Sequence, residues 1–285
     1  MRVGVVQFCA ADDQTANLEQ AVKFTRAALE AGAQVVALPE NFSQLEQDDQ
    51  GYLTRCGIEA MHPALPIFSE LAKSYAAHIL LGSVTVKTQG GRVNNRSLLI
   101  DQKGDVIARY NKIHLFDVDL PDDEGYRESR VVEPGTEAVV VDIAGITAGL
   151  SICYDLRFPA LYRALAQAGA TILFAPAAFT QVTGEAHWHT LIRTRAIENG
   201  CYVIAPNQCG VRPWGRATYG HSLVVDPWGR VLLDAGPDPG FSVIDIDLAE
   251  VARVRAMVPS LKHDRPFQLV DMRSGQLSPD SFGSG

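Results

Sequence analysis

One cysteine in this chain stands where a nucleophile would be useful. Cys153 lies in Gly149-Leu150-Ser151-Ile152-Cys153-Tyr154-Asp155-Leu156-Arg157-Phe158-Pro159, where an apolar strand runs into a sharp turn and a helix is predicted over 158–168. Positive charge at a helix N-terminus favours the thiolate, the form that attacks carbon. Such a group needs a base, and a cation able to hold an oxyanion. Glu40, just past Val35-Val36-Ala37-Leu38-Pro39, and Lys112, just past Val106-Ile107-Ala108-Arg109-Tyr110, each follow a predicted strand, as Cys153 does. In layered α/β folds such strand ends gather at one rim, where ligands bind. Taken singly, a cysteine is more often a small core hydrophobe, and a charge after a strand is more often a solvated edge residue.

Other residues compete for these roles. Any of the seven histidines could serve as a base, and His187, His189 or His221 as a metal ligand. On a regular helix His187 and His189 point about 200° apart, which suits no shared ion. His187 is therefore read as support for a pocket wall. Cys201 and Cys209 flank a strand without base-like neighbours and read as structural thiols.

The elements that must position Glu40, Lys112 and Cys153 alternate. Val3 to Phe8 is a β-branched run, Leu18, Val22, Thr25 and Leu29 recur at helical spacing until Gly32, and Val35 to Glu40 is a continuous apolar strand. A helix over 66–77 and a strand over 79–86 complete a second unit. The segment 117–134 is acidic and loop-like, with Glu124, Glu128 and Glu133 exposed. Hairpins are predicted around Asp101-Gln102-Lys103-Gly104, around Gly145 and around Asp226-Pro227-Trp228-Gly229. Helices follow over 185–199 and 248–257. Ser97-Leu98-Leu99-Ile100-Asp101, with Gly104 and Val106, matches Ser222-Leu223-Val224-Val225-Asp226, with Gly229 and Val231. Two similar halves suggest an α/β fold of two sheets face to face with helices outside, four layers α-β-β-α.

The 285 residues carry a formal net charge of -8, which argues against nucleic acid or an anionic membrane as partner and for a small molecule. The five cysteines, Cys9, Cys56, Cys153, Cys201 and Cys209, are odd in number and scattered, as in a reducing compartment. With no leader-like start and no apolar run long enough to span a bilayer, a cytoplasmic protein is expected. One domain is expected over 1–265, with a polar, Gly/Ser-rich tail over 266–285.

Leu38-Pro39-Glu40, Tyr110-Asn111-Lys112-Ile113-His114-Leu115 and Ile152-Cys153-Tyr154-Asp155-Leu156-Arg157-Phe158-Pro159 resemble the three signatures of the nitrilase superfamily of carbon–nitrogen hydrolases, in the right order along nearly the whole chain. Gly184-Glu185-Ala186-His187-Trp188, Arg195-Ala196-Ile197-Glu198 and the stretch Tyr219 to Gly229 resemble its Nit branch. The resemblance implies an α-β-β-α sandwich that pairs through a helical surface as a homodimer or higher homo-oligomer, working with no metal and no organic cofactor. It also implies roles: Cys153 attacks an amide carbonyl to form an acyl-thioester, Lys112 and the backbone N–H of Tyr154 hold the oxyanion, and Glu40 moves the protons, releasing ammonia. Glu128 matches a further glutamate that orients Lys112 or the attacking water, with Glu124 and Glu133 close by.

The signatures do not choose a substrate. Ile197-Glu198, Cys201 to Ala205 and Asn207-Gln208-Cys209-Gly210 are most similar to the type that hydrolyses deaminated glutathione. An ω-amidase acting on α-ketoglutaramate and α-ketosuccinamate is the nearest alternative, and a non-catalytic scaffold on the same fold is another. A keto-acid amide needs donors for its carboxylate: Arg157, Arg193 and Arg195 are candidates, with Phe179, Thr180, Thr183 and His187 near the mouth. Glu46-Gln47-Asp48-Asp49 would repel an anion if it overhung the pocket.

Overall fold

The computed structural model describes residues 1–120, 125–270 and 273. The chain begins with β1 (Arg2–Gln7), α1 (Gln14–Glu30), β2 (Val35–Ala37), α2 (Asp49–Arg55), α3 (Ala64–Tyr75), β3 (His78–Lys87), β4 (Val93–Ile100) and β5 (Val106–Asn111). A ribbon of β6 (Asp117–Asp119) and β7 (Gly125–Arg127) follows. The second half runs β8 (Val139–Ile143), β9 (Ile146–Leu150), α4 (Pro159–Gln167), β10 (Ile172–Phe174), α5 (Gln181–Thr183), α6 (His189–Asn199) and β11 (Tyr202–Ala205). It ends with a ribbon of β12 (Cys209–Val211) and β13 (Ala217–Tyr219), then β14 (Leu223–Val225), β15 (Val231–Asp234), β16 (Gly240–Asp245) and α7 (Ala249–Met257).

Two six-stranded sheets carry the fold, in the orders β16-β1-β2-β3-β4-β5 and β15-β14-β11-β10-β9-β8. Strand alternation assigns each side chain to a layer. Val3, Val5, Val35, Ala37, Leu80 and Leu99 of the first sheet join Leu150, Ile172, Phe174 and Ile204 of the second in the core between the sheets. Val6, Val36, Ile79, Leu81 and Leu98 instead pack under α1 and α3 with Leu18, Ala28, Phe68 and Ala72. On the far side Leu161 and Leu165 of α4 and Ile192 of α6 cover the second sheet. The layers are α-β-β-α, as the sequence suggests.

The halves repeat each other strand for strand. Parallel, parallel, antiparallel, antiparallel is the pairing along β1-β2-β3-β4-β5 and again along β9-β10-β11-β14-β15. Their hairpins close by the same chemistry. Asp101 accepts the N–H of Lys103 and Asp105, Asp226 accepts those of Trp228 and Arg230, and Gly104 and Gly229 take φ of 85° and 87°, a left-handed conformation open to glycine.

Where the sheets meet, clearance is small. A Cβ on Gly82 of β3 would overlap the Leu38 carbonyl and run into Cβ of Pro176, which follows β10 in the other sheet. Glu40 and Cys153 lie on either side of this seam. The local predictions fail in two places. The expected loop 117–134 contains the β6–β7 ribbon and a 3-10 turn at Glu128–Arg130, strands too short and charged to show alternation. The helix expected over 185–199 is a π turn over Gly184–Trp188 before α6, where Tyr219 packs against Gly184 and leaves no room for a Cβ. Most of the expected tail, residues 271–272 and 274–285, lies outside the described residues.

Candidate active site

Glu40, Lys112 and Cys153 arrive at one point from both sheets. Beyond β2, Leu38 N–H still donates to Leu80 O and Ser83 N–H to Pro39 O, so Glu40 is delivered on a tethered extension of the strand. Its carboxylate is buried: Oε1 accepts from Lys112 Nζ and Asn95 Nδ2, both at 2.8 Å, and Oε2 accepts the Ala178 N–H at 2.9 Å. Gln208 Nε2 donates to the Glu40 carbonyl at 2.7 Å. Lys112, just past β5, also donates to Glu128 Oε2 at 2.8 Å and Oε1 at 3.1 Å. Glu128 in turn accepts the Phe116 N–H at 2.7 Å and Asn95 Nδ2 at 3.1 Å.

These neighbours fix the charges. Burial works against the Lys112 ammonium, but Glu128 and Glu40 outweigh it and hold its pKa well above the usual lysine range. Burial, then the negative Glu40, push the Cys153 thiol well above the usual cysteine range, with Lys112 opposing. The sequence expectation of a helix-stabilised thiolate is thereby corrected. Cys153 opens a 3-10 turn, Cys153–Arg157, ahead of α4, and in this dry, acidic setting it rests as a thiol within hydrogen-bonding reach of Glu40 and the Ala178 amide. For its sulfur to attack carbon, that proton would have to be taken by a base.

The turn itself is strained and braced. Cys153 sits at φ 47°, a left-handed conformation unusual for a residue with a Cβ, and its N–H donates to Pro176 O at 2.9 Å. Fully buried Asp155 accepts Ile152 N–H at 2.8 Å, Tyr110 Oη–H at 2.6 Å and His114 N–H at 3.0 Å. His114 Nδ1 lies 2.7 Å from the same carboxylate, and its ring stacks on Phe158. Asp155 thus locks the Cys153 turn to the lysine-bearing strand. It and Asn95, which bridges Glu40 and Glu128, carry roles the sequence reading did not assign. The signal was there: Asn94 and Asn95 are amides in a strand that ends in Leu98-Leu99-Ile100, and Asp155 is an acid two residues from the cysteine.

The centre opens into a cavity of about 730 Å³. Tyr154, Phe179, Thr180 and Thr183 line it, with Thr180 capping the turn that carries Thr183. Arg157 and His187 are not among its lining residues. The 3-10 turn and the π turn set them together on the outer side of that wall, Arg157 Nη2 3.2 Å from His187 Nδ1. Arg193 donates to Gly229 O, and Arg195 to Leu156 O and Glu198, so both brace the fold. Of the loop glutamates, Glu128 reaches Lys112, Glu133 meets Thr88 and Arg92 instead, and Glu124 lies outside the described residues. The acidic stretch 46–49 does line the cavity, but Glu46 lies 3.5 Å from Arg55, Asp48 caps α2 and Asp49 lies 4.0 Å from Arg130.

Outside the cavity, His189 and His221, rather than His187, converge on Asp234 at 3.0 and 2.8 Å. Among the described residues this is the cluster whose ligand atoms are close enough, within 4.8 Å, to hold a metal ion. None of its members lines the cavity. No helix among the described residues is long and apolar enough to cross a membrane.

Comparison with known proteins matches this geometry. The carbon–nitrogen hydrolase family matches residues 2–256. The chain is 41% identical over 263 residues to a deaminated glutathione amidase of Synechocystis sp., covering 90% of this chain and 96% of that protein. It is 38% identical over 277 residues to the Homo sapiens deaminated glutathione amidase, covering 93% and 82%. Among solved structures, the NitFhit protein of C. elegans superposes with a TM-score of 0.85 at 36% identity, over 93% of this chain and 65% of that one. A cysteine, a carboxylate and an ammonium brought together by two packed sheets, on a chain matched almost end to end, make this protein a carbon–nitrogen hydrolase of the nitrilase superfamily.

Proposed function

We propose that this enzyme hydrolyses the γ-amide of deaminated glutathione through an acyl-thioester on Cys153. The observation that carries the reading is the contact of Lys112 with Glu40 at 2.8 Å beside a buried thiol, at the base of a cavity in the size range of small-molecule sites. As Sγ bonds to the amide carbon, Glu40 takes the thiol proton. The carbonyl electron pair moves to oxygen, where Lys112 Nζ and the Tyr154 N–H meet it; leading N–H groups of a helical turn lack acceptors within that turn. When the C–N bond breaks, Glu40 gives its proton to the departing nitrogen. Water then attacks the thioester, losing a proton to Glu40, and collapse returns the thiol and the free acid. Glu128 and Asn95 hold Lys112 and Glu40 in place.

The leaving group separates the two keto-acid readings. Deaminated glutathione releases cysteinylglycine, which corrects the expected ammonia for this substrate, whereas a primary amide such as α-ketoglutaramate releases ammonia. The test is kcat/KM for both amides with the purified enzyme. A preference for deaminated glutathione is expected. A preference for α-ketoglutaramate would make the protein an ω-amidase, and hydrolysis of neither, with Cys153 inert to thiol electrophiles, would make it a scaffold. Within the same proposal the enzyme is a cytoplasmic homodimer with one domain over 1–265; light scattering tests the subunit number.

A further inference from the structure

Two arginines enter the cavity from the turn between β12 and β13. Arg212 and Arg216 both line it, and Arg216 lies over the Tyr126 ring at 4.6 Å. Arg212 is only 3% exposed, and a buried guanidinium is costly unless a counter-charge meets it. The protein offers it neutral acceptors: Ala10 O for Nε at 2.9 Å, Gln208 Oε1 for Nη2 at 2.7 Å and Thr218 Oγ1 for Nη1 at 3.4 Å. Of an arginine's five N–H donors, these bonds use three, and among the described residues no further acceptor meets the other two, one on each terminal nitrogen. Among the described residues no carboxylate forms an ion pair with Arg212 or Arg216.

The other cations of the cavity are committed. Lys112 meets Glu40 and Glu128, Arg127 meets Asp119 at 2.6 Å, and Arg130 meets Asp49. Burial pulls the Arg212 guanidinium below its ordinary range, and Arg216 is close enough to add repulsion. A buried cation that faces a ligand cavity and meets no carboxylate among the described residues calls for an anion brought by the ligand. Its place in the network says which end of the ligand. Gln208 takes the Arg212 bond on Oε1 and donates from Nε2 to the Glu40 carbonyl, so Arg212 stands one side chain from Glu40. In the mechanism above, Glu40 delivers a proton to the departing nitrogen, which puts the leaving group on that side.

We infer that Arg212, backed by Arg216, binds a carboxylate on the leaving-group arm of the substrate. Resting on the proposed function, that group is the C-terminal glycine carboxylate of deaminated glutathione. A short keto-acid amide has no such arm, so the subsite selects for peptide-length amides.

The experiment measures binding, by calorimetry, of deaminated glutathione and of its neutral C-terminal glycinamide to the Cys153→Ala protein, with and without Arg212→Gln. The acid is expected to bind at least about thirtyfold tighter than the glycinamide, the low end for losing one partner of a buried charge pair. Adding Arg212→Gln should bring the two within about threefold. Equal affinities in the Cys153→Ala protein, which needs no change at Arg212, overturn the inference, and so does a preference that survives Arg212→Gln. Turnover by the unmodified enzyme decides the proposed function separately. Hydrolysis without acid preference would sink the subsite and keep that reading; an Arg212-dependent preference without hydrolysis would do the reverse.

Discussion

Replacing Glu128 by alanine removes one of the two carboxylates between which Lys112 is suspended. Opposite charges about 4 Å apart attract by about 4 kcal/mol at an effective dielectric near 20, and stripping one partner from a buried pair costs about 3–5 kcal/mol. Because Lys112 keeps Glu40 at 2.8 Å, the lower end applies, about 3 kcal/mol, or a fall of roughly 5 °C in Tm at this chain length. Activity should fall further than stability implies. Freed from Glu128, the ammonium closes on Glu40, so the oxyanion donor moves off its mark while the base is over-neutralised. Loss of one such donor costs about 10²–10³ in kcat. The assay is kcat and KM on the preferred amide beside a thermal melt. Glu128→Gln, which keeps an acceptor for the Phe116 N–H, should recover part of Tm but little of kcat. A Glu128→Ala enzyme with kcat within about threefold of the parent would refute the reasoning, as would a change confined to KM.

Cys153→Ala should abolish turnover and the covalent acyl adduct seen by mass spectrometry, whereas Cys201→Ala, which loses a buried thiol bonded to Ala170 O, should keep kcat; equal losses would remove Cys153 from its role. Glu40 raises the Cys153 thiol, so Glu40→Gln should lose at least about 10³ in kcat yet still be alkylated by a neutral electrophile near pH 7, and a variant inert to both would contradict the base assignment. Burial lowers the His62 ring from 6.5 to about 4, and the neutral ring accepts the Ala64 N–H on Nδ1. The unfolded chain therefore binds this proton first: the contribution is complete above about pH 6.5 and is lost as pH falls through about 4, up to about 3 kcal/mol, so urea unfolding of His62→Gln should show a shallower acid slope.

The layers and the meeting of Glu40, Lys112 and Cys153 at one point were legible because each rests on local pattern. Continuous apolar strands announced two buried sheets, and the paired Asp-x-x-Gly hairpins announced two halves. Glu40, Lys112 and Cys153 were marked by where strands end. What stayed hidden depends on contacts between distant segments. Nothing in the neighbourhood of Arg212 distinguishes it from Arg157, yet one is sealed against Gln208 and Ala10 inside the cavity and the other stacks outside it beside His187. The thiol's protonation was legible only in part: a proton passing from Cys153 to Glu40 was expected, but that burial outweighs the pull of a helix-like turn toward thiolate depends on packing between the sheets.

The bare backbone at Gly82 acts as a gauge for the whole machine. The Glu40 carboxylate and the Cys153 sulfur belong to separate halves of the polypeptide, and their spacing is set by how near Leu38 and Pro176 can come across a gap too narrow for a single methyl group. Glu46 and Arg216 line the cavity away from that midline, so a change of ligand shape can be met by rebuilding the wall there while the distance between carboxylate and thiol stays fixed.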